Sequence, residues 1–189
     1  MRRIEEILEF WFGSADGTDR QKVWFAPDPA FDQACTTAFL ADHEHAAGGE
    51  LDGWMDVPSG ALALILLLDQ FPRNMFRGTA RAFATDVKAQ AAAKDALARQ
   101  FDRSLMPIRR VFMYMPLEHS ENLDDQHESL RLFRELACED PALTGFVSYA
   151  ERHLEVIARF GRFPHRNAVL GRVSTPPEAE FLSGGGSSF

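Results

Sequence analysis

The chain has 189 residues, 46% of them hydrophobic, and a net charge of −8; its apolar content is ample for the core of one domain. The acidic excess lies wholly in residues 1–56, where twelve acids face four bases, while the remainder balances sixteen against sixteen. This argues against general nucleic-acid binding, which rests on neutralising phosphates with Lys and Arg, and reads as an acidic solvated face.

In chain order, Ile4, Ile7, Leu8, Trp11 and Phe12 recur at helical spacing and predict an amphipathic helix ending at Gly13. The acids among these residues rule out a signal-peptide core. Ser14 to Thr18 reads as a loop, and Asp28-Pro29 supplies an N-cap with proline at the first helical position. Phe31, Cys35 and Phe39 form the stripe of the second helix, which Gly48-Gly49 closes. Cys35 and Cys138 match no metal or redox spacing and are expected to be buried free thiols in a reducing cytosol.

After the Pro58-Ser59-Gly60 break, Ala61 to Leu68 is apolar at every position. A helix with no polar face must be surrounded by protein, and eight residues are too few to cross a bilayer, which takes about 20. Pro72 disfavours the α region at Phe71, so this helix is expected to stop near Gln70. Asp69 then sits in its last turn and calls for a basic partner, Arg73 or Arg77 or one from elsewhere. Thr85-Asp86 can cap an Ala-rich helix to about Phe101, and Pro107 opens the next, which Pro116 kinks or restarts. Leu123 to Leu136 marks another helix. Asp140-Pro141 caps its successor, whose stripe is Leu143, Val147, Ala150, Leu154, Ile157 and Gly161. Thr175-Pro176-Pro177-Glu178 carries a capping box for a last helix through Leu182, followed by a Gly/Ser-rich tail. No alternating strand run appears, so the chain reads all-α, with about eight or nine helices. One domain over 1–182 and a flexible tail over 183–189 are expected. Gln70-Phe-Pro-Arg-Asn74 and Arg162-Phe-Pro-His-Arg-Asn167 echo one another and suggest two similar polar corners.

Several segments carry a resemblance. They are Ile7 to Gly13, Trp24-Phe25, Gly60 to Gly78 with Ala82 to Asp86, Tyr114 to Glu121, and Gly161 to Asn167 with Leu170 to Pro176. The chain resembles, over nearly its full length, a bacterial family of unknown function grouped with tetratricopeptide-like folds. The resemblance implies a TPR-like array of antiparallel helices around a buried apolar one. It brings no activity, cofactor or catalytic residue, and the usual TPR sequence signature is absent.

Three polar clusters stand at helix ends or breaks, where backbone groups need partners. They are Asp69, Arg73, Asn74, Arg77; Glu118, His119, Ser120, Glu121; and Arg162, His165, Arg166, Asn167, with His153 upstream. Arg forks suit carboxylate or phosphate, and His titrates near neutrality. The functional reading is a pocket for a small anionic metabolite. In it Arg73, Arg77 and Arg166 hold the anion, Asn74 and Asn167 orient it, His153 and His165 line it, and Glu118, His119 and Asp69 handle protons in hydrolase- or lyase-like chemistry. The alternative is a scaffold that binds a protein segment, its polar clusters being ties between helices. No metal set has ligand spacing: His127-Glu128 is followed by Arg131 rather than a second His, and Asp42-His43-Glu44-His45 points to different sides of a helix. No cofactor, nucleic acid or membrane is implied, and a cytoplasmic location is expected.

Overall fold

The structure is a computed structural model and describes residues 2–13, 23–24 and 26–185. Among these residues every regular element is a helix, as the apolar spacing requires. The order is α1 (Arg2–Phe12), α2 (Pro29–Gly48), α3 (Pro58–Ile65), a π-helical turn (Leu66–Gln70), α4 (Phe71–Met75), α5 (Asp86–Ala98), α6 (Pro107–Glu118), α7 (Leu123–Glu139), α8 (Thr144–Phe160) and α9 (Pro176–Ser183). Short 3-10 turns join several of them. The expected loop over 14–18 and the tail from residue 186 onward lie outside the described residues. The chain packs as two compact units, residues 1–77 with 81–116, and residues 78–80 with 117–189.

In the first unit, α1 buries the five stripe residues Ile4, Ile7, Leu8, Trp11 and Phe12. Asp28 caps α2 by accepting from the amides of Ala30 and Phe31 at 2.9 and 3.0 Å. Gly49, at φ 87°, ends α2 in the left-handed conformation that costs glycine little. The turn Asp52–Asp56 carries the Trp54 carbonyl so close to Gly60 that a Cβ there would collide with backbone. All of Ala61 to Leu68 is buried.

The expected stop at Gln70 is not observed. Phe71 is helical (φ −59°, ψ −40°), and the chain passes through the π turn into α4 with Pro72 inside it. The Phe71 amide reaches the Leu66 carbonyl, five residues back. Pro72 has no N–H, so it answers neither Leu67 in π register nor Leu68 in α register. Side chains take over. His43 donates from Nδ1 to the Leu67 carbonyl at 2.8 Å, and Thr85 donates its hydroxyl to the Leu68 carbonyl at 2.6 Å. The next carbonyl, of Asp69, accepts from the Arg73 guanidinium. Thr85 is therefore not the side-chain cap that its sequence position suggests; its hydroxyl serves the buried helix instead. Pro116 likewise lies within α6, which runs on to Glu118.

In the second unit, α7 and α8 form a hairpin through the turn Pro141–Leu143, capped by Asp140 at the Ala142 amide (3.1 Å). Phe133 and Phe146 stack between them with centroids 6.0 Å apart. Leu143, Ala150 and Ile157 are buried, and so are His153 and Val156 beside that stripe. Cys138 is exposed, contrary to expectation, because the buried face of α7 is set by Leu132, Phe133 and Leu136; only Cys35 is a buried thiol. Gly161 (φ 68°) ends α8, and the capping box of Thr175 and Glu178 opens α9.

Candidate functional site

In the first unit, buried Asp69 accepts from the Gln70 amide at 2.6 Å and lies 3.3 Å from the Arg73 guanidinium. Arg73 also grips Asp86 with both terminal nitrogens, at 3.0 and 3.2 Å. Asn74 and Arg77 both turn to Asp32: the Asn74 amide donates at 2.7 Å and Arg77 makes two bonds of 2.9 Å. Burial works against the charge on Asp32, yet Arg77 and Asn74 hold its carboxyl below the ordinary range. The carboxylate foreseen for Arg73 is thus present, and two further acids, Asp32 and Asp86, engage the rest of this cluster. Their roles had no local signal, since each is brought in from another helix.

The second unit gathers the other two clusters. Glu118, at the end of α6, stands with Oε1 3.3 Å from His153 Nδ1 on α8, and that nitrogen also donates to the Tyr149 carbonyl at 2.9 Å. The His119 ring is 6.3 Å from His153, which meets Phe163 edge to face at 5.5 Å; the His165 ring is 5.5 Å from Phe163. The Arg166 guanidinium lies over the Phe163 ring, 4.4 Å from its centroid. Buried Asn167 donates to the Ser174 hydroxyl at 3.0 Å.

Phe163 is clamped by its backbone. Its amide donates to Glu121 at 2.8 Å and its carbonyl accepts from Arg172 at 3.0 Å, while Arg172 and Glu121 pair at 2.7 and 3.0 Å. The end of α6 is fixed as firmly. Gln126, on α7, donates to the carbonyls of Glu118 and Ser120 at 2.6 and 2.7 Å, and the Ser120 hydroxyl donates to Asp125 at 2.7 Å. Arg172 and Gln126 were not singled out by sequence reasoning; their bonds to main chain cross a break of six to nine residues, a spacing that no helix or cap pattern marks.

The electrostatics follow from burial beside cations. Burial pushes the His153 imidazole down to about 3, partly offset by the Tyr149 carbonyl, with His119, Arg166 and His165 adding to the depression. His165 falls to about 4 through burial and the Arg166 charge. Both rings are neutral at physiological pH. Burial disfavours the Glu121 charge, but Arg172, the Phe163 amide and Arg166 together hold its carboxyl below the usual range. Among the described residues no set of three or more His, Cys, Asp or Glu side chains stands in metal-holding geometry.

Helices throughout, with neutral histidines gathered beside an arginine in the second unit, define an all-α protein carrying a polar cluster against a packed core. A family model described as a bacterial protein of unknown function (DUF924) matches residues 7–186, and the chain belongs to that family. It is also similar to the solved structure of a protein of unknown function from Agrobacterium tumefaciens. The two are 40% identical with a TM-score of 0.87, over 97% of this chain and 98% of that one. No curated protein matches the chain. Among the described residues, no helix is long and apolar enough to cross a membrane.

Proposed function

We propose that the second unit binds a small anionic metabolite, a carboxylate or phosphate, at the cluster of His119, His153, His165 and Arg166. One observation carries this reading: the buried imidazole of His153 and the half-buried one of His165 are kept uncharged beside the buried guanidinium of Arg166. An anion arriving beside the rings lowers the cost of protonating them. Arg166 supplies the charge and Asn167 the neighbouring amide. Glu118 orients His153, so the pair becomes able to take up and return a proton once the anion is bound. Hydrolase- or lyase-like proton transfer is the chemistry this arrangement suits.

The test is a histidine NMR titration with and without inorganic phosphate or acetate. Either anion should raise the titration midpoints of His153 and His165 by about one unit or more, and Arg166→Gln should abolish the rise. Midpoints that stay put with both anions overturn the proposal.

A second reading, that of a helical scaffold binding a protein segment, draws on the first unit. There Arg73, Asn74 and Arg77 are all taken up by carboxylates of their own unit. On that reading Arg73→Ala unfolds the protein without changing any specific binding, whereas loss of a small-ligand response in a folded Arg73→Ala variant overturns it.

A further inference from the structure

Where α8 ends and α9 begins, Arg159, Phe160, Arg162, Thr175, Pro177 and Glu178 line an open groove of about 610 Å³, within the range of about 300–1,000 Å³ usual for small-molecule sites. Its charges are unevenly satisfied. Both oxygens of Glu178 are taken: Oε1 by Arg162 Nε at 2.6 Å, and Oε2 by Arg162 at 2.8 Å and by the Thr175 amide at 2.7 Å. These bonds hold the Glu178 carboxyl down at about 2, so the pair is a closed neutral unit.

Arg159 is different. Its guanidinium carbon lies 4.7 Å from the centroid of Phe160 and 5.9 Å from that of Phe181, and among the described residues it has neither a hydrogen bond nor an ion pair. The two rings are themselves in contact, with centroids 5.1 Å apart. A guanidinium laid on aromatic rings keeps its N–H fork in its own plane, the geometry that grips a carboxylate with two parallel bonds. The groove thus carries a cation with no ion-pair partner among the described residues, beside the apolar side chains of Phe160 and Pro177.

We infer that this groove is a binding site for a small aromatic carboxylate, its carboxylate on the Arg159 fork and its ring against Phe160 and Pro177. The site stands independently of the histidine cluster.

Benzoate is the probe, with acetate as the charge-only control and benzyl alcohol as the ring-only control, followed by amide and arginine side-chain NMR. Saturable shifts at Phe160–Arg162 and Thr175–Glu178 are expected with benzoate, and clearly weaker shifts at these residues with both controls. Arg159→Gln, at an exposed position, should keep the amide spectrum of the folded protein and weaken benzoate by about tenfold or more. Arg166→Gln should leave the benzoate shifts at the groove residues unchanged. The inference is overturned if benzoate gives no saturable shift at these residues, if acetate binds there equally well, or if affinity at the groove falls with Arg166→Gln and not with Arg159→Gln.

Discussion

Thr85 donates its hydroxyl to the Leu68 carbonyl at 2.6 Å, in a buried setting, and so stands in for the amide that Pro72 does not have. Removing that donor leaves a carbonyl dry and unanswered, at a cost of about 1–3 kcal/mol. Thr85→Val, which keeps the shape, should therefore lose about that much in a urea unfolding series. Thr85→Ser should recover most of it. If Thr85→Val proves as stable as the parent, the carbonyl has another partner.

Gly60 is constrained by space rather than by φ. The Trp54 carbonyl occupies the place a Cβ would need, and the obstacle is backbone, which cannot rotate away. Gly60→Ala should destabilise the protein by about 1–3 kcal/mol, the usual effect of overpacking, despite the better helix propensity of alanine. A thermal melt at equal or higher temperature would contradict the contact.

Arg73 answers two buried carboxylates, Asp69 and Asp86. Taking it away leaves both charges inside the protein, and breaking such a pair costs about 3–5 kcal/mol. Arg73→Ala should accordingly be among the most damaging single changes in the first unit. Asp86→Asn should cost less, since Asp69 still faces the guanidinium. Equilibrium unfolding of the two variants, ranked against the parent, checks the order.

The histidines give a pH dependence of definite sign. His153 and His165 titrate at about 3 and about 4 in the folded chain, below the ordinary value of 6.5. The unfolded chain therefore binds more protons in that interval, and stability rises with pH there. It should be highest above about pH 6.5 and decline as the pH falls toward 4. The upper part of the window, above the carboxylate range, belongs to the imidazoles. His153→Gln together with His165→Gln should flatten the slope between about pH 5 and 6.5, and an unchanged slope would refute the assignment.

The sequence was most informative where the controlling chemistry is local. The Asp28 and Asp140 caps, the Thr175–Glu178 box and the glycine end at Gly49 all appear where residue type and spacing place them, whereas Gly161, read as part of the stripe, ends α8 instead. The two Phe-Pro pairs show the limit. Phe163 is extended (φ −88°, ψ 106°) and follows a finished helix, whereas Phe71 stays helical through the π turn. They look alike in sequence because what separates them is not local. His43 and Thr85, 24 and 17 residues from the carbonyls they serve, let the backbone continue where proline would otherwise stop it.

The candidate site divides in the same way. Its ingredients, Glu118, His119, His153, His165 and Arg166, could be picked out as polar residues at helix breaks. What could not be seen is that Arg172 and Glu121 clamp the main chain of Phe163, or that Asp32 and Asp86 engage the arginines of the first unit. Long side chains reach across turns and between helices, and only the fold fixes their ends. His153 is buried beside the aliphatic stripe of α8, with Phe163 edge to face against its ring.

The π turn also bears on how the first unit assembles. A hairpin or fragment containing residues 58–75 alone would carry its central carbonyls without the imidazole of α2 or the hydroxyl before α5, both of which arrive from outside the fragment. This segment of the first unit thus has no early, self-sufficient version. Amide exchange protection at Phe71 should appear in step with docking of the helices on either side, so that the greasiest segment of the chain matures late and all at once.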